Sequence, residues 1–126
     1  MKAFGTLITF DCGECEGLIN DRQVLDDFIS RIVKVMKMER VGKPTYEWFD
    51  DTPFNREHDL IGYSVTQIIS LSSITLHICS MSKSTFIDIF TCCKVNEDII
   101  SELEHNVHIT FNPKTVTKNT IKRIIP

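Results

Sequence analysis

The chain has 126 residues, 42% of them hydrophobic and 25% charged, which is enough for one domain with a modest core and too little for two. A formal net charge of −3 with scattered basic residues excludes the electrostatic footprint of a duplex-binding protein. No apolar run is long enough to span a bilayer, and "MKAFGTLITFDCGE" meets acidic residues too early for a signal peptide, so a soluble, cytoplasmic protein with no membrane or nucleic-acid partner is expected.

In chain order, alternation in "KAFGTLITF" predicts a first strand, followed by a Gly- and Cys-containing loop that ends at Asn20. Asn20 with Gln23 three residues on is a capping-box variant. Val24, Leu25, Phe28, Ile29, Ile32, Val33 and Met36 then recur at helical spacing through Lys37. "KPTYEWFDDTPFNREHD" reads as a short strand and a variable loop, with Tyr46, Trp48 and Phe49 as edge-strand packing. Three strand-like runs follow, "YSVTQIISL", "SITLHICS" and "TFIDIFTC", joined by "SS" and "MSKS"; they predict an antiparallel meander. Asn96 caps a second helix carrying Ile99, Ile100 and Leu103, "VHITF" alternates as a closing strand, and "NPKT" turns the chain.

This order predicts a single domain over 1–126, an α+β two-layer sandwich with a mostly antiparallel sheet and two helices on one face. The other face then needs a cover, and a homodimer is the simplest one. Five cysteines, an odd number without the spacing of a disulfide scaffold, predict reduced thiols. Cys12 and Cys15 form a CxxC, but a four-ligand zinc site needs a second pair. Cys92 and Cys93 are adjacent and would point to opposite faces of a strand, so no metal is expected.

The chemistry concentrates in the meander. Strand alternation puts Ile74, Leu76 and Ile78 on one face and Thr75, His77 and Cys79 on the other, while Phe86, Asp88, Phe90 and Cys92 share a face of the next strand. Taken singly, Cys92 reads as a core filler, His77 as a satisfied histidine and Ser72 as a turn residue. Taken together they carry more. Ser64, the Leu71–Ser72 dipeptide, "ITLH" ending at His77 and "FIDIFTC" ending at Cys92 are separated by intervals of eight, five and fifteen residues.

In those residues and intervals, and in "CEGLIND" before the first helix, the chain resembles the prokaryotic type of S-adenosylmethionine decarboxylase, a pyruvoyl enzyme of polyamine (spermidine) biosynthesis. The resemblance implies that Ser72 attacks the carbonyl of Leu71, and that cleavage between them leaves a pyruvoyl group at position 72 as the chain's own cofactor. That ketone would form a Schiff base with a substrate amine and take up the electrons released with carbon dioxide. By the same resemblance Ser64 and His77 assist the self-cleavage, His77 as its acid/base, and Cys92 returns a proton to the substrate carbon. It also implies a small-molecule substrate and a homodimer with sites between the protomers.

The family's pattern is not complete. Leu71 and Ser73 flank the cleavage serine where Glu and His are usual, and Met81 stands where the family has a carboxylate associated with substrate binding. Met cannot accept hydrogen bonds from ribose hydroxyls. Three readings therefore stay open: a decarboxylase of S-adenosylmethionine, a pyruvoyl decarboxylase of another amino acid such as ornithine or arginine, and a non-processing homologue with a binding or regulatory role.

Overall fold

The structure is a computed structural model that describes residues 2–126. In chain order it contains β1 (Lys2–Gly13), α1 (Arg22–Val35), β2 (Arg40–Phe49), α2 (Pro53–Glu57), β3 (Gly62–Ile69), β4 (Ser72–Cys79), β5 (Ser84–Thr91), α3 (Glu97–Phe111) and β6 (Thr115–Ile125). The strands form one six-stranded sheet in the order β2-β3-β4-β5-β1-β6. Every neighbouring pair is antiparallel.

Helix α1 forms because Leu25, Phe28, Ile29, Ile32 and Val33 make one buried stripe. Its cap is Asp21 rather than the expected Asn20: the Asp21 carboxylate accepts the N–H groups of Gln23 and Val24, at 2.9 and 3.2 Å. The helix stops at Met36, and Lys37, at φ 55°, turns the chain back so that the Met38 N–H reaches the Val33 carbonyl at 3.0 Å. In α3, Asn96 accepts the Ile99 N–H as expected, and Glu97 and Asp98 sit in the first turn, where the helix dipole favours negative charge.

"VHITF" is the last part of α3 and not a strand. Ile100, Leu103, Val107 and Phe111 continue one buried helical face, and Asn112, left-handed at φ 42°, ends it. Phe111 meets Phe28 of α1 edge to face at 5.0 Å, and Arg31 ties the two helices by donating to Asn106 and Thr110. The closing strand is β6, whose residues are almost all exposed; an eleven-register ladder to β1, with one irregularity between Ala3 and Gly5, holds it in the sheet.

The hydrophobic core lies between these two helices and one face of the sheet. It receives Ile8 and Phe10 from β1, Val65 and Ile69 from β3, Ile74, Leu76 and Ile78 from β4, and Ile87 and Ile89 from β5. The opposite face carries Ser64, Thr75, His77, Phe86, Asp88 and Phe90, which this chain alone leaves open. A fully buried Gln67 interrupts the apolar alternation of β3. It donates to the carbonyls of Val41 and Gly42 across the register shift in β2, and accepts from Arg40, which is ion-paired to Asp26 at 2.8 Å.

Candidate active site

The turn between β3 and β4 lies one dipeptide earlier than "SS". Ile69 pairs with Ser72, so Ser70 and Leu71 form a two-residue hairpin loop and Ser72 is the first residue of β4. The inward alternation of Ser72, Ile74, Leu76 and Ile78 fixes this register, because a slip by one residue would turn all four outward.

As a result Ser72 is not a solvated turn residue. Only 7% of it is exposed, and its buried hydroxyl has no hydrogen-bond partner among the described residues. A buried, unsatisfied hydroxyl costs about 1–3 kcal/mol and is uncommon in native proteins. The neighbouring Leu71 side chain is 65% exposed, while its carbonyl accepts a hydrogen bond from the Cys92 N–H at 3.3 Å.

Cys92 reaches that position because β5 runs beside β4, with Ser72 opposite Thr91. The Thr91 hydroxyl accepts the Cys93 N–H at 3.0 Å and turns the chain just past Thr91. On its other side β5 lies so close to β1 that a Cβ on Gly5 would stand 2.4 Å from the Thr91 carbonyl oxygen. Half-buried Cys92 borders a cleft of about 400 Å³ with Phe4, Thr6, Cys93, Lys94 and Lys122 on its walls. Phe4 also stacks on Phe90, with Arg123 over the Phe90 ring, which extends the cleft by an apolar wall.

Ser64 and His77 are direct cross-strand partners on the open face, with Ser64 Oγ 3.0 Å from His77 Nδ1. His77 is exposed and lies opposite Phe86. Two groups thus form, the Leu71–Ser72 turn with the Cys92 backbone at one end of β4 and Ser64 with His77 towards the other. Within one chain they do not meet. Five residues of strand separate Ser72 from His77 by about 16 Å, and the two side chains point to opposite faces.

Met81 lies in the β4–β5 turn, 47% exposed, at the far end of β4 from Ser72. The CxxC cysteines belong to the core. Burial pushes the Cys12 thiol up to about 12, aided by neighbouring Cys15, and burial also raises Cys15 despite its contact with the Thr85 hydroxyl. Both are therefore neutral packing groups at physiological pH.

Two features of this region were not legible from residue types. One is the grip of the Cys92 backbone on Leu71, which depends on strand register. The other is the attachment of Ser70 to Glu39, across 31 residues of sequence.

A family model for S-adenosylmethionine decarboxylase matches residues 6–124 of the chain. The fold is similar to the crystal structure of the adenosylmethionine decarboxylase from Aquifex aeolicus VF5, at 16% sequence identity and a TM-score of 0.75, over 100% of this chain and 95% of that one. No curated protein sequence matches it.

Proposed function

The chain belongs to the S-adenosylmethionine decarboxylase family, and from that premise we propose that it cuts itself between Leu71 and Ser72 and becomes a pyruvoyl-dependent decarboxylase. The observation that carries this reading is the buried, unpartnered Ser72 hydroxyl beside a carbonyl held by the Cys92 N–H. Ser72 Oγ adds to the Leu71 carbonyl carbon, and the Cys92 N–H stabilises the oxygen as charge develops on it. The Leu71–Ser72 C–N bond then breaks, which leaves the Leu71 acyl group as an ester on Ser72 Oγ and frees the Ser72 amine. Removal of the Ser72 α-proton expels the Leu71 carboxylate by β-elimination. The resulting dehydroalanine tautomerises to an imine, and water hydrolyses it to the ketone with release of ammonia.

Proton removal at Ser72 is the task proposed for His77, whose imidazole is oriented by Ser64 at 3.0 Å. A separation of about 16 Å along β4 prevents His77 from serving Ser72 of its own chain. The reading therefore requires a homodimer in which the open sheet faces pack together and each His77 approaches the Ser72 backbone of the opposite protomer, where the α-proton is removed, while Ser72 Oγ stays on the core side. Exposed Phe4, Ile68 and Phe86 on that face fit burial in such an interface.

A pyruvoyl group at position 72 supplies the electron sink for decarboxylation. What supports it is the buried Ser72 from which it would arise, and a cleft at neighbouring Cys92 whose walls carry Lys94 and Lys122, cations suited to a substrate carboxylate. Cys92 lines the same cleft, and its thiol is the group assigned here as proton donor to the product carbon. S-adenosylmethionine is the substrate the family favours, and its decarboxylated product would feed polyamine synthesis. Exposed, apolar Met81, where the family has a carboxylate, favours a second reading, in which the substrate is an amino acid without a nucleoside, such as ornithine or arginine.

Carbon dioxide release from S-adenosylmethionine, ornithine and arginine, assayed in parallel, separates these readings. Wild type should decarboxylate one of them and Ser72→Ala none. No release from any of the three by fully cleaved protein would overturn the decarboxylase reading as stated.

A further inference from the structure

The turn that carries the Leu71–Ser72 bond is anchored on its upstream side by Ser70. As the first central residue of a two-residue hairpin loop, Ser70 adopts φ 24°. Such turns require positive φ at that position, and glycine meets the requirement most easily. A serine there is strained unless its surroundings hold it.

They do so through the backbone of Glu39. The Ser70 N–H donates to the Glu39 carbonyl at 2.9 Å, the Glu39 N–H donates to Ser70 Oγ at 3.1 Å, and the Ser70 hydroxyl lies 3.4 Å from the same carbonyl. Glu39 is itself a firm anchor, because it follows the turn that closes α1 with the Met38 N–H on Val33. The cleavage turn is thereby joined to the helix layer.

Leu71 has little else to orient it. Its side chain is largely exposed, so its carbonyl direction is set by Ser70 on one side and by the Cys92 N–H on the other. Ser72 Oγ must find that carbonyl carbon in attack geometry, and displacements of about 1 Å are costly in such reactions.

We infer that Ser70 is a positioning residue for self-cleavage, its hydroxyl clamped to the Glu39 backbone so that the Leu71 carbonyl is presented to Ser72. The inference rests on the self-processing reading above. Ser70 takes no part in bond making; it acts through Leu71.

Two variants separate the hydroxyl from the backbone conformation. Ser70→Gly accepts positive φ without strain but has no hydroxyl, and Ser70→Asn tolerates positive φ and keeps a side-chain acceptor for the Glu39 N–H. Full-length precursors made by cell-free synthesis are followed by intact mass, with urea unfolding midpoints measured alongside. Ser70→Gly should cleave about tenfold more slowly than wild type with a midpoint no lower, and Ser70→Asn should recover to within about threefold. Ser70→Gly keeping pace with a cleaving wild type would overturn the inference alone, as would a folded Ser70→Asn that is as slow as Ser70→Gly. A wild type that stays whole would overturn the self-processing reading and this inference with it.

Discussion

Gly5→Ala tests the link between β1 and the cleavage turn. A Cβ at this position would stand 2.4 Å from the Thr91 carbonyl oxygen, about 1 Å short of the 3.4 Å at which ordinary contact begins. The obstacle is backbone, not a flexible side chain, and Thr91 is fully buried, so β5 has to move at the point where it turns into Cys92. Overpacking of this kind costs about 1–3 kcal/mol, and each kcal/mol lowers the melting temperature of a domain this size by about 4 °C. Cys92 is the next residue, and its N–H already reaches Leu71 at 3.3 Å, so a shift of that size breaks the contact. Self-cleavage should slow by about 10²-fold, followed as uncleaved fraction by intact mass. Gly17→Ala is the control: a Cβ there would stand 2.3 Å from the Thr110 carbonyl oxygen, a backbone clash of the same kind, in the loop that bonds the β4–β5 turn through Cys15 and Lys83, at the other end of β4 from the cleavage turn. It should lose stability and cleave normally. A Gly5→Ala chain that loses stability yet cleaves at the wild-type rate would refute the argument that β5 positions the Leu71 carbonyl.

Two further outcomes follow from the same geometry. His77→Ala should stop at the ester, slowing fragment formation by about 10²–10⁴-fold, and hydroxylamine, which cleaves esters, should then split the chain at position 72; rapid cleavage without it would remove His77 from the process. Alkaline stability depends on the buried thiols: Cys12 titrates at about 12 in the folded chain against 9.0 for an unperturbed thiol, so its contribution is complete below pH 9 and is lost as pH rises towards 12. Unfolding free energies from urea titrations between pH 8 and 10.5 should fall less steeply in Cys12→Ala, by at most about 1.4 kcal/mol per pH unit at the top of that range. An unchanged slope would contradict the burial of that thiol.

Where the sequence carried strong alternation, the fold could be read from it. Ile74, Leu76 and Ile78 against Thr75, His77 and Cys79 placed β4 with both faces correct, and the α+β architecture with its two main helices on one face followed. "VHITF" misled because its β-branched residues alternate locally, while the helical spacing from Ile100 to Phe111 runs over a longer span and decides its structure. Strand β6 escaped notice for the opposite reason: it is exposed nearly throughout and owes its form to pairing with β1. The candidate site residues were legible through their intervals. Their division into two separated groups, and the hold of Ser70 and Cys92 on the cleavage turn, arise from register and backbone contacts that residue types do not encode.

The central claim is that Ser72 is consumed. Intact mass spectrometry of freshly purified wild-type protein tests it most directly. Two fragments divided between Leu71 and Ser72, the second beginning with a pyruvoyl group, are the predicted result. A single whole-chain mass that persists on incubation would contradict the account and leave a folded homologue that does not process itself.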